Sequence, residues 1–134
     1  MLSVTPDLVT NVKLIDDQHK ELFDRINAVT SMGAASAGKN ETEKTLDMLG
    51  AYIVKHFGDE EALQRSSGYP KYDYHRKLHQ FYISEYHKMR AEYKANGPSV
   101  QFSLQLSKSI IDWIIKHIKN VDRELGMFIN SKKK

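Results

Sequence analysis

Apolar positions recur at three- and four-residue intervals in four stretches of this chain, the period of helices that each bury one face. Leu14, Ile15, Leu22, Phe23 and Ile26 predict a first helix over about 13–35. Leu46, Leu49, Ile53 and Phe57 predict a second over about 41–66, opened by Asn40 and Glu43 at capping-box spacing. Tyr82, Tyr86, Met89 and Tyr93 predict a third over about 71–95, and Leu106, Ile110, Trp113, Ile114 and Ile118 a fourth over about 99–119. Small residues from Ser31 to Lys39, the stretch Ser66-Ser67-Gly68-Tyr69-Pro70, and Asn96-Gly97-Pro98 separate them. Residues 1–12 have no helical period and read as an extended arm across the bundle. Val121, Leu125, Met127, Phe128 and Ile129 suggest a short apolar cap over about 121–130. The expectation is a single all-α domain over 1–134, an up-down-up-down four-helix bundle with an N-terminal extended arm and a short C-terminal cap.

Polar residues break into these stripes at regular places. His75 and His79 stand four residues apart on the third helix, so both rings leave one face and can close on one metal ion. A histidine pair at that spacing is common on helices without any metal. His19 lies in the first stripe, His56 and Glu60 share the second at i and i+4, and His117 lies in the fourth. Asp59 and Glu61, beside Glu60, read as solvated. Asp122 follows His117 by five residues, about 140° round a regular helix, so the two can meet only across a break, a tightened turn or a π-bulge near Lys119-Asn120-Val121. His87 falls about 120° from His75 and is left out. Tyr82 and Tyr86 read as core rings whose hydroxyls find partners. Seven inward polar groups are costly if unpaired, since burying even a neutral one costs roughly 2–7 kcal/mol without a hydrogen bond. Five imidazoles and two carboxylates exceed the usual needs of one ion, and the count points to a dinuclear centre.

Composition narrows the chemistry. The 134 residues include no cysteine, which excludes disulfides, thiolate zinc sites, iron–sulfur clusters and covalent haem attachment. Nitrogen and oxygen ligands remain, suited to iron, manganese or zinc. The formal charge of +3 is spread along the chain apart from the Lys132-Lys133-Lys134 tail, with no basic stripe for nucleic acid. No apolar run has the length of a membrane span, and the N-terminus lacks a basic region before an apolar core, so the expected location is the cytoplasm.

The ordered pieces Ile15-Asp16-Asp17-Gln18-His19-Lys20, His56-Phe57-Gly58-Asp59-Glu60-Glu61, His75 with His79, and Trp113-Ile114-Ile115-Lys116-His117-Ile118 followed by Asp122 resemble single-domain bacterial hemerythrins over essentially the whole chain. The first twelve residues lack a tryptophan that many members carry. The resemblance implies two non-haem iron ions (Fe2+/Fe3+) with an oxo/hydroxo bridge, one held by His75, His79 and His117, the other by His19 and His56, with Glu60 and Asp122 bridging. It also implies an open position on the second iron where dioxygen binds. Phe57, Trp113, Ile114 and Ile118 are candidates for a dry O2 pocket or for ordinary core packing. Ferritin-like di-iron enzymes use Glu-x-x-His motifs, and this chain has none. The expected function is therefore non-catalytic O2 storage or delivery, with the protein acceptor of O2 unknown. Alternatives are an O2 or redox sensor acting through a separate partner, a peroxidase or nitric-oxide-reducing enzyme, and a plain iron or zinc binder.

Overall fold

The computed structural model describes residues 2–32 and 39–132. Three long helices come first, α1 (Lys13–Met32), α2 (Lys39–Ser67) and α3 (Tyr72–Asn96). A fourth helical run covers 100–131: α4 (Val100–Gln105), a π segment (Leu106–Asp112), α5 (Trp113–His117), a second π segment (Ile118–Asp122) and α6 (Arg123–Ser131). Every junction residue in this run keeps right-handed helical angles, so the helix changes pitch without stopping. Among the described residues there is no strand. α1 packs on α2, α2 on α3, and α3 on α4 and the first π segment, as in an up-down-up-down bundle. The turn expected over Ser31 to Lys39 and the predicted end of the first helix lie largely outside the described residues, as do the last two lysines.

The sequence stripes form the core. Ile15, Leu22, Phe23, Ile26 and Val29 of α1 are buried, whereas Leu14 is 45% exposed and lies off the stripe. α2 opens at Lys39, so Asn40 stands inside the first turn instead of capping it, and Glu43 faces Arg90 at 3.8 Å. Its far end closes on Gly68, whose φ of 71° suits a residue without Cβ. The Tyr69 amide donates to the Gln64 carbonyl (2.9 Å) and the Gly68 amide to that of Arg65 (3.3 Å), a Schellman closure. The expected partners of the core tyrosines are present: Tyr82 donates to the Ile110 carbonyl at 3.0 Å and Tyr86 to that of Leu46. His87 is exposed.

The arm is pinned at several points. It carries a short 3-10 turn at Pro6–Leu8, and Leu8 and Thr10 are buried. Asp16 accepts from the Thr10 amide (2.9 Å), the Thr10 hydroxyl (2.7 Å) and the Asn11 amide (3.1 Å). Asn11 takes a φ of 64°, which asparagine tolerates better than most residues. The Thr10 carbonyl then passes so close to α6 that a Cβ on Gly126 would lie 2.4 Å from it. In the cap, Leu125 and Ile129 are buried while Met127 is 68% exposed, so Met127 leaves the predicted apolar set.

Two apolar clusters result. The larger runs from Leu8 and Phe23 through Phe57 and Tyr82 to Ile114 and Ile118; the smaller contains Val12, Ile15, Tyr69, Leu125 and Ile129. In chain order His19, described in the next section, falls between Ile15 of the smaller cluster and Leu22 of the larger, and Asp122 between Ile118 of the larger and Leu125 of the smaller.

Candidate metal centre

Each helix brings its polar residues to this level by ordinary periodicity. His19 sits one turn from Ile15 on α1, His56 and Glu60 are a turn apart on α2, and His75 and His79 are a turn apart on α3. The fourth run needs the π segment over Ile118–Asp122, one of the three departures from α geometry that the five-residue gap allows, to turn Asp122 back beneath His117. Their Nε2 and Oδ1 atoms are 3.2 Å apart. All seven side chains are buried, none more than 3% exposed.

The carboxylates divide the imidazoles into two groups. Oε1 of Glu60 lies 2.9 Å from His75 Nε2 and 3.2 Å from His79 Nε2. Its Oε2 lies 3.5 Å from His56 Nε2 and 4.0 Å from His19 Nε2. Oδ1 of Asp122 lies 2.9 Å from His75 Nε2, and Oδ2 lies 3.0 Å from His19 Nε2. Each carboxylate thus turns one oxygen to each side. Two sets emerge, Glu60, His75, His79, His117 and Asp122 in one and His19, His56, Glu60 and Asp122 in the other, each with its donor atoms within 4.8 Å of one another.

The donor set fits metal. His19, His56 and His79 have no hydrogen bond on Nε2, and neither do any of the four carboxylate oxygens, despite full burial. Protein groups alone leave that many buried polar atoms unsatisfied, which two cations would correct. The protonation pattern carries the same strain. Burial opposes charge on His75, but the Asp122 and Glu60 carboxylates outweigh it and carry its pKa up to about 9. Burial holds His56 down at about 4 and also lowers His117. Burial and the Asp122 charge push Glu60 upward, yet His75, His79 and His56 bring it down to about 2. Burial likewise opposes ionisation of Asp122, and His117, His19 and His75 hold it well below the usual carboxylate range.

Aromatic rings cover the centre on one side. Phe57 stacks on His79 with centroids 3.8 Å apart and planes at 2°, and Trp113 stacks on His117 at 4.6 Å and 13°. Ile114 and Ile118 are fully buried. On another side a cleft of about 470 Å³, lined by Tyr69, Lys71, Tyr74, His75, Asn120, Val121 and Glu124, reaches His75, and Lys71 and Glu124 on its wall form an ion pair.

Several polar neighbours were not legible as part of the site. His56 Nδ1 lies 2.8 Å from Gln18 Oε1, and His79 Nδ1 lies 2.8 Å from Glu61 Oε2. Glu61 is therefore not the solvated charge expected, and Asp59, though part-exposed, accepts from Gln18 Nε2 at 2.8 Å. Gln64, one turn beyond Glu60, is buried with no hydrogen bond on either amide atom.

Residues 10–129 match the hemerythrin HHE cation binding domain. Bacteriohemerythrin of Methylococcus capsulatus is 32% identical over 117 residues, 87% of each chain. Bacteriohemerythrin of Campylobacter jejuni is 31% identical over 122 residues, 91% of this chain and 90% of its own. The crystal structure of a wild-type hemerythrin superposes with a TM-score of 0.81 at 29% identity, over 94% of this chain and 95% of that one. On sequence and structure together, the chain belongs to the hemerythrin family.

Proposed function

We propose that this protein binds dioxygen reversibly at a non-haem di-iron centre held by His19, His56, Glu60, His75, His79, His117 and Asp122, and that it stores or delivers O2. The observation that carries the reading is the division of the carboxylates: Glu60 and Asp122 each offer one oxygen to each imidazole group. A single ion uses one group and leaves the other buried and unsatisfied, whereas two ions use all seven side chains. When bound, the iron pair supplies the electrons that reversible dioxygen binding requires. The protein residues do the rest. His75, His79 and His117 would hold one ion, and His19 and His56 the other with one imidazole fewer, so a small ligand would find its place on that side. Phe57, Trp113, Ile114 and Ile118 keep water from the centre, so charge there is not stabilised by solvent.

The test loads the protein anaerobically with ferrous iron, counts the metal, then adds and removes O2 while the visible spectrum is recorded. Two irons per chain and an absorption band that appears with O2 and disappears without it are expected. Irreversible oxidation with no O2-dependent band transfers the reading to sensing or enzymatic reduction. His117→Ala is expected to lose the two-iron stoichiometry; an unchanged iron count and spectrum in that variant overturns the ligand set.

A further inference from the structure

A histidine binds metal through one ring nitrogen only if its proton resides on the other, so each ligand needs something that fixes its tautomer. At two of the five imidazoles the partner is visible. Glu61 Oε2 lies 2.8 Å from His79 Nδ1, and an ionised carboxylate can only accept, so His79 carries its proton on Nδ1 and turns a free Nε2 inward. His56 is harder, because its Nδ1 meets the side chain of Gln18, an amide that can donate or accept according to which way it is turned. The other end of that amide settles the matter. It lies 2.8 Å from Asp59 Oδ2, which accepts only, so the NH2 group faces Asp59 and the carbonyl oxygen faces His56. His56 must then donate from Nδ1, and its Nε2 is left free toward Glu60.

We propose that Asp59 and Gln18 form a positioning pair that fixes which nitrogen of His56 is free to bind metal, while Glu61 performs that task directly for His79. The inference rests on reading the seven residues as metal ligands, and it adds a division of labour between the two halves. The three-imidazole half is backed by a full negative charge next to its ring, which strengthens the donor. The His56 half is backed by a neutral amide, with the charge one residue further out at the surface. The Asp59 carboxylate hydrogen-bonds to no ligand side chain, yet it controls occupancy of that half. Lys55 also reaches Asp59 Oδ2, at 2.8 Å, but from the solvent side, and it does not determine the orientation of Gln18.

The experiment titrates metal-free protein with cobalt(II), followed by its visible absorption, in the wild type and in Asp59→Asn, Gln18→Leu, Glu61→Gln and Lys55→Met. Wild type is expected to take up two cobalt ions per chain in two steps. Asp59→Asn and Gln18→Leu each weaken one and the same step by about 10- to 100-fold, Glu61→Gln weakens the other by a similar factor, and Lys55→Met changes neither. Asp59 is part-exposed, so its isosteric variant is expected to fold. A lowered melting temperature in Asp59→Asn with both cobalt steps unchanged reveals a merely structural contact and overturns the proposal. Failure of the wild type to bind cobalt at all overturns the ligand reading beneath it. Nitrogen-resolved NMR of the imidazoles in the metal-free protein reads the tautomer directly: His56 protonated on Nδ1 in wild type and redistributed in Asp59→Asn supports the pair, and a wild-type His56 protonated on Nε2 refutes it.

Discussion

The charge on His75 is set by two carboxylates that are themselves buried, and this makes the metal-free protein sensitive to pH on both sides of neutrality. The folded pKa of His75, about 9, lies above the unfolded value of about 6.5, so its contribution to stability is complete below about pH 6.5 and is lost as the pH rises through 9. His56 works in the opposite sense. Its folded value of about 4 lies below the unfolded one, so the unfolded chain takes up the proton first and stability falls as the pH drops from about 6.5 toward 4. Glu60, at about 2, adds a further loss below about pH 4. Metal-free protein is therefore expected to melt at its highest temperature near pH 6.5 and lower at about pH 5 and pH 9; a melting temperature that climbs steadily from pH 6.5 to 9 contradicts the charge pattern. Loading metal near pH 8 is expected to release protons, because His75 must give up its own, and a weakly buffered titration detects them. The seven central residues were legible because each lies on an apolar stripe where an unpartnered polar group has no cheap alternative. Gln18 and Glu61 were not. Glu61 sits next to an inward residue and reads as outward-facing, and only the packing of α3 against α2 brings His79 to it. Gln18 meets His56 across 38 residues of sequence, a contact fixed by the rotation of two helices.

At the level of elements, the second π segment joins two requirements that a regular helix cannot meet together. Asp122 must face His117, and Leu125 and Ile129 must face the smaller cluster. The π segment accommodates one extra residue and then returns to α geometry with both faces aligned. Deleting the exposed Asn120 is therefore expected to let the segment relax to a plain helix, with Asp122 four residues after His117 and still on its face, so that two cobalt ions bind per chain. Inserting one alanine after Asn120 swings Asp122 and all of α6 by about 100° and is expected to abolish two-metal binding. Loss of binding in the deletion and retention in the insertion would reverse the account. The five-residue gap between His117 and Asp122 made this irregularity legible. The π segment at Leu106–Asp112 had no such mark, since no pair of functional residues spans it. The arm offers the second test. Gly126 lets the Thr10 carbonyl cross α6, so Gly126→Ala is expected to cost about 1–3 kcal/mol in chemical denaturation with the metal count unaffected. An unchanged midpoint would mean that the arm can lift away without loss.

For the molecule as a whole, the sequence disclosed the helical architecture and the level at which the buried imidazoles and carboxylates gather, because one apolar period and one polar interruption recur in every long helix. It did not disclose that the apolar residues fall into two clusters, since that depends on how completely the polar level separates them. The separation has a thermodynamic consequence. A folded domain of this size ordinarily melts as one cooperative unit, with the van't Hoff enthalpy equal to the calorimetric one. Here the two hydrophobic bodies are joined across a layer of imidazoles and carboxylates in which many buried polar atoms lack a hydrogen bond without cations. Bound metal is expected to make the layer the strongest junction in the molecule and to give a single transition at a temperature that falls on chelation. Once the metal is removed, the smaller body, made largely of α6, the start of α1 and the α2–α3 turn, is expected to open first. Calorimetry of the chelated protein should then show a calorimetric enthalpy larger than the van't Hoff value, and hydrogen exchange should show Leu125 and Ile129 losing protection ahead of Ile26 and Met89. The proposed metal centre is on this account also what makes one folding unit out of two.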